Sequence, residues 1–182
     1  MTSDSLLNQE LLAQEKSGLE VYFLADLLAD LLQKKGWMLA TAESCTGGMI
    51  AAACTDLAGS SNWFERGFVS YSNDAKTELL GVDVALIAQH GAVSEAVARA
   101  MTAGAISHSK AQVAVAVTGV AGPTGGTRAK PVGTVWFGFA WPGSSPQLVS
   151  EVRRFDGDRA NVRSATVRYA LRRLVELLRE TS

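Results

Sequence analysis

The sequence predicts an α/β protein, a three-layer α/β/α domain built around a mixed sheet. Five segments with strand character, at residues 37–41, 67–71, 112–118, 134–140 and 148–155, first alternate with helical stretches and then run on consecutively. The third of them is apolar throughout residues 113–117 (Val113, Val115 and Val117 among alanines), the signature of a central strand buried on both faces. Helices with one apolar stripe stand at both ends of the chain and supply covering layers.

Residues 1–17 are polar without a strong period and read as a frayed or weakly helical leader. Residues 18–182 are enough for a single domain with a substantial core. From residue 18 to 35, Val21, Leu24, Leu28, Leu31 and Leu32 share a helical face, and Gly36 stands where a C-cap glycine is expected. After the first strand, small residues such as Ala51, Ala52 and Ala53 favour a helix over about 46–57 that packs closely on the sheet. Ser72-Asn73-Asp74 starts the first of two short helices, and Ser94 caps a longer one to about residue 109. Residues 141–146 suit a hairpin turn, so the last two strands pair antiparallel. Asp158 caps a final helix carrying Val162, Val167, Leu171, Leu174 and Leu178.

Lys and Arg total 17 against 18 Asp and Glu, a formal charge of -1. This balance argues against a broad nucleic-acid or membrane surface and leaves room for a local basic pocket, so a small-molecule partner is expected. The arginines of the last helix (Arg163, Arg168, Arg172, Arg173, Arg179) come without an aromatic platform and read as a solvated face. Cys45 and Cys54 fit neither a disulfide framework nor a zinc spacing, which points to a reducing cytoplasm. No stretch approaches the roughly 20 apolar residues of a membrane span, and no signal peptide is evident. A homodimer or larger assembly is expected, with Trp141 and the Trp63-Phe64 pair as available to an interface as to the core.

In open α/β sheets ligands bind beyond the carboxyl ends of the parallel strands, where residues 43–48, 71–76 and 118–130 converge. Ala42-Glu43-Ser44-Cys45-Thr46-Gly47-Gly48 places a hydroxyl and a thiol where a strand turns into a helix. Backbone N–H groups of Cys45, Thr46, Gly47 and Gly48 lack helical partners there and suit an anion. Ser44 needs a base to become a nucleophile, whereas Cys45 is a rival activated by the same helix terminus. His90 and His108 stand at helix ends and read as capping or solvated residues. Lys76, on Tyr71-Ser72-Asn73-Asp74-Ala75-Lys76, is the stronger base if burial lowers its pKa, with Tyr71 as hydrogen-bond partner or relay; a solvated lysine and a core tyrosine are the alternative.

Residues 119–133 contain five glycines and two prolines together with Arg128 and Lys130. Gly119, Gly122, Gly125 and Gly126 allow close backbone approach and Lys130 adds charge, a combination suited to phosphate or carboxylate; a flexible connection is the plain alternative. The loop lacks the G-x-x-x-x-G-K-[ST] of a Walker site. Arg159, in Asp156-Gly157-Asp158-Arg159, stands at a helix start from which it reaches an anion or clamps Asp158. Ser107-His108-Ser109-Lys110 matches S-x-x-K but lies away from this rim.

Five segments in order resemble the CinA C-terminal domain family, whose stand-alone members are nicotinamide-nucleotide amidohydrolases. They are residues 42–48 and 71–76 quoted above, His90-Gly91-Ala92-Val93-Ser94-Glu95, Thr118-Gly119-Val120-Ala121-Gly122-Pro123, and Lys130-Pro131-Val132-Gly133-Thr134-Val135. The likeness implies a five-stranded mixed sheet of the anticodon-binding-domain-like type. It also implies hydrolysis of nicotinamide mononucleotide to nicotinate mononucleotide and ammonia in pyridine nucleotide salvage, with no metal or other cofactor. The family's serine nucleophile falls on Ser44, its lysine base on Lys76 and its assisting tyrosine on Tyr71. The additional N-terminal domain of larger CinA proteins is lacking, so pyrophosphatase activity is not expected. Because some relatives have lost activity, a silent nucleotide-binding or regulatory module is the alternative.

Overall fold

The computed structural model describes residues 3–181, with side chains from residue 16 onward. The chain runs α1 (Ser3–Lys35), β1 (Leu39–Glu43), α2 (Met49–Thr55), a 3-10 turn (Ser60–Asn62) and β2 (Phe64–Val69). Then follow α3 (Asn73–Leu80), α4 (Val84–His90), α5 (Glu95–Ser107), β3 (Val113–Gly119), β4 (Thr134–Trp141), β5 (Gln147–Arg154) and α6 (Arg159–Arg179). The sheet order is β2-β1-β3-β4-β5, with β1 parallel to both β2 and β3, and with β4 and β5 antiparallel to their neighbours. This is the mixed five-stranded sheet that the segment order implies.

Alternation along β3 divides the interior. Val113, Val115 and Val117 point with Phe137 and Phe139 to a layer made by α1, α2 and α6, where Leu28, Leu32, Ile50, Leu171 and Leu174 are buried. Ala114 and Ala116 face the other layer, with Val97 and Met101 of α5, Leu80 of α3 and Ile87 of α4. Large side chains on one face and alanines on the other let α5 lie close to the sheet. Gly138 completes that approach, because a Cβ there would stand 2.0 Å from Thr102 Oγ1.

Several boundaries differ from the sequence reading for identifiable reasons. The helix α1 runs unbroken from Ser3 rather than from Gly18; one interior glycine costs only about 1 kcal/mol relative to alanine, too little to end it. The helix α2 begins at Met49 rather than near Thr46, since Gly47 (φ 61°) and Gly48 (φ 97°) take left-handed conformations that break the helical path. The strand β1 extends to Glu43 because that carboxylate is satisfied inside the fold, as described below. Trp63 is buried in the larger core, whereas Phe64 and Trp141 are half-buried and pack against it. Among the described residues no helix is long and apolar enough to cross a membrane.

Candidate active site

From β1 the chain crosses to β2 through α2 on one face, and from β2 to β3 through α3, α4 and α5 on the other. The connections therefore diverge beyond the carboxyl ends of β1 and β3, the point in an open sheet where a crevice forms. A cavity of about 210 Å³ occupies it, lined by Ser44 and Cys45 after β1, Tyr71, Asn73 and Lys76 around the start of α3, Ala92 and Val93, Thr118 and Gly119 at the end of β3, Ala121, and Arg159.

Ser44 continues the strand register, its N–H donating to Val117 O at 3.1 Å. Ser72 caps α3 by accepting from Ala75 N–H at 3.0 Å, and this places Lys76 one turn into the helix with its side chain directed back under the rim. Lys76 is only 1% exposed. Its Nζ lies 3.1 Å from Ser44 Oγ and donates to Ser70 O at 3.0 Å, with Tyr71 O and Ser72 O both at 3.4 Å. Among the described residues no carboxylate forms an ion pair with it. Burial without a counter-charge holds the Lys76 amine below the usual lysine range; a neighbouring Cys45 thiolate would oppose this. That opposition is absent at neutral pH, because burial pushes the Cys45 thiol up to about 12. The same shift weighs against Cys45 as a rival nucleophile, since only the thiolate attacks.

Glu43 is buried and has no ion pair with Lys76. Period-two alternation turns it to the α2 side of β1, where its carboxylate accepts from Thr46 Oγ1 (2.6 Å) and from the N–H groups of Ile50 (2.9 Å) and Ala51 (2.8 Å). It thus caps α2, whose N-terminal residue Gly48 has no side chain to do so, and anchors the turn that carries Ser44.

The remaining residues expected at the site divide. Tyr71 and Arg159 meet above the cavity: Arg159 donates to the Tyr71 hydroxyl at 3.0 Å and to Gly122 O at 2.9 Å. Tyr71 therefore meets Lys76 through its backbone carbonyl, while its phenol is engaged by Arg159. Gly119 lines the cleft and Gly122 contributes its carbonyl. Thr46 is buried toward Glu43, and Gly47 and Gly48 form the turn behind the cleft. Gly125, Gly126 and Lys130 are not brought to it. Gly126 lies against Val132, and Lys130 donates to His90 O at 2.8 Å, fastening the glycine-rich loop to the end of α4. His90 and His108 are exposed at helix ends. Arg163, half-buried, departs from the solvated-face reading: its Nε donates to Cys45 O at 3.2 Å and its terminal nitrogen to Thr46 O at 2.8 Å. Sequence reasoning also passed over Asn73 and Thr118, the latter tied by its hydroxyl to Ala92 O at 2.8 Å. Among the described residues no three His, Cys, Asp or Glu side chains cluster closely enough to hold a metal ion.

Fold and site together define a class: three-layer α/β/α domains that set a serine against a buried, uncompensated lysine at the carboxyl edge of parallel strands. The family model described as CinA C-terminal domain matches residues 21–178, and the chain belongs to that family. It is 54% identical over 140 residues to "Nicotinamide-nucleotide amidohydrolase PncC" of Enterobacter agglomerans, covering 77% of this chain and 84% of that one. With the protein of the same name from Escherichia coli (strain K12) it shares 48% identity over 155 residues, 85% of this chain and 93% of the relative. A solved structure titled competence/damage inducible protein CihA, from Agrobacterium tumefaciens, superposes with a TM-score of 0.83 at 44% identity, covering 87% of this chain and 95% of that one.

Proposed function

We propose that the chain hydrolyses the carboxamide of nicotinamide mononucleotide to nicotinate mononucleotide and ammonia, a step of pyridine nucleotide salvage. The observation that carries this reading is the 3.1 Å approach of Ser44 Oγ to a lysine amine that burial holds toward its neutral form. The names of relatives 48% and 54% identical supply the substrate.

Neutral Lys76 takes the Ser44 hydroxyl proton as Oγ bonds to the carboxamide carbon and the carbonyl pair moves onto oxygen. The Cys45 and Thr46 N–H groups, which donate to no backbone carbonyl among the described residues, are the donors for that oxyanion. Collapse of the intermediate breaks the C–N bond, and the Lys76 ammonium protonates the departing nitrogen to give ammonia. Water then attacks the acyl-serine, gives one proton to Lys76, and Ser44 leaves with it restored. Tyr71 lines the cleft and offers an aromatic surface to the cationic pyridinium ring.

Arg159 stands between the catalytic cavity and a neighbouring one of about 610 Å³ that Pro123, Val132, Asp158 and Arg163 help to line. Among the described residues its partners are a phenol and a carbonyl, both neutral, so its charge is available to the nucleotide phosphate. The glycine-rich loop serves as a wall through Gly119 and Ala121, and holds Arg159 through the Gly122 carbonyl, rather than acting through Lys130. Two free cysteines suit a reducing cytoplasm as the place of action.

The test is ammonia release from nicotinamide mononucleotide by the purified protein and by Ser44→Ala. Turnover lost in the variant supports the serine mechanism; activity close to the parent's overturns it. Binding by calorimetry without turnover in the parent establishes a silent nucleotide-binding module instead.

A further inference from the structure

We propose that Arg163 is a positioning residue for catalysis, one that orients the peptide groups of the nucleophile turn; the inference rests on the amidase reading above. Arg163 lies four residues after Arg159, so α6 presents two guanidinium groups along one face. Arg159 faces the cleft, while Arg163 turns to the backbone beneath Ser44.

The two forked contacts of Arg163, to Cys45 O at 3.2 Å and Thr46 O at 2.8 Å, hold two successive carbonyls on the same side of the turn. Both peptides are trans, so each N–H points opposite to its carbonyl and away from Arg163. The N–H opposite the Thr46 carbonyl is that of Gly47, and it donates to Ser44 O at 3.1 Å, closing the turn. The N–H opposite the Cys45 carbonyl is that of Thr46. It has no backbone acceptor among the described residues and is held as a donor for the oxyanion that forms when Ser44 attacks.

Glu43 grips the same turn through the Thr46 hydroxyl and the start of α2. A carboxylate and a guanidinium thus fix complementary groups of one backbone segment, donors on one side and acceptors on the other. Arginine suits the second task because its planar fork presents donors to two carbonyls in a fixed geometry, which the compact ammonium of a flexible lysine does not.

The experiment is steady-state kinetics on nicotinamide mononucleotide for the parent, Arg163→Ala, Arg163→Lys and Arg168→Ala. Misplacing one catalytic donor lowers kcat by about 100-fold in Arg163→Ala, with KM nearly unchanged because the effect belongs to the transition state. Arg163→Lys falls between that variant and the parent, guanidinium ion added to Arg163→Ala restores part of kcat, and Arg168→Ala keeps parental rates. Parental kcat in folded Arg163→Ala overturns the inference, as does a rise in KM alone, which would make Arg163 a substrate ligand. If the alanine variant fails to fold, Arg163→Lys and Arg163→Gln carry the same comparison. If the parent releases no ammonia, the amidase reading fails separately. Acylation of Ser44 by 4-nitrophenyl acetate then reads the same oxyanion donors, and an unslowed nitrophenolate burst in Arg163→Ala overturns the positioning role.

Discussion

Two charge-bearing clusters in this molecule are built on opposite principles. On β5, Glu151 is surrounded by donors: the Tyr169 hydroxyl, Arg173 Nε at 2.7 Å and Arg153 at 3.0 Å. Burial alone opposes charge on Glu151, yet the bonds from Tyr169 and Arg173 outweigh it and hold the carboxyl below the usual range. At the cleft, Lys76 is more deeply buried and has only neutral oxygens around it, so burial prevails and lowers its pKa too. The two shifts share a direction and have opposite chemical meanings. For the acid a lowered pKa keeps the charge; for the amine it removes the charge and frees a lone pair. Donors around Glu151 keep it charged, whereas Lys76, with no opposite charge beside it, is held toward its neutral form at a cost in stability and with a gain in reactivity.

The largest test of this contrast is loss of the dyad. Ser44→Ala should lower kcat by about 10⁴-fold or more while substrate binding by calorimetry persists, since nucleophile and base act as a unit. Activity retained there would place the chemistry elsewhere. Next comes Glu43→Ala, which strands the Thr46 hydroxyl and two amides at the start of α2. Denaturant unfolding should report a loss of about 2–4 kcal/mol, with Glu43→Gln milder because its amide oxygen still accepts. An unchanged midpoint would show that α2 does not depend on this cap.

A smaller effect on stability is expected from Lys76→Met. The unfolded chain binds a proton at Lys76 that the folded chain has released, between the folded pKa and about 10.4, so stability rises with pH across that window. The variant should lose this slope and unfold no more easily than the parent at neutral pH, because the desolvation penalty goes with the amine. Thermal melts at several pH values check this. The smallest effect belongs to Glu151→Gln: about 1 kcal/mol of stability is lost with turnover intact. Glu151 has a depressed folded pKa, so its contribution is present above the unfolded carboxyl value and disappears as pH falls through the folded one. The variant should therefore differ from the parent near neutrality and converge with it in acid.

Much of this arrangement is legible in the sequence because strands and helices declare themselves by period. The valine and alanine alternation of β3 states which face takes the large core, and Ser72, Ser94 and Asp158 announce their helices as caps. Ser44 and Lys76 are readable because both follow strand ends on one rim. Glu43 is not, since its partners are backbone amides of a helix whose start depends on the left-handed glycines Gly47 and Gly48. Arg163 resembles its neighbours on α6 in composition; only the rotation of that helix against the turn gives it backbone carbonyls, where Arg172 meets Glu20 and Arg173 meets Glu151. Lys130 misleads for a related reason: periodicity does not encode loop paths, and this loop folds back onto His90.

The account stands most directly on the pH dependence of kcat/KM for ammonia release by the parent and by Lys76→Met. It predicts that the parent's rate rises with pH through an inflection below the ordinary lysine value of about 10.4, and that Lys76→Met loses both the inflection and roughly 10³-fold of rate. A Lys76→Met rate within a few fold of the parent's, with the same inflection, would contradict it.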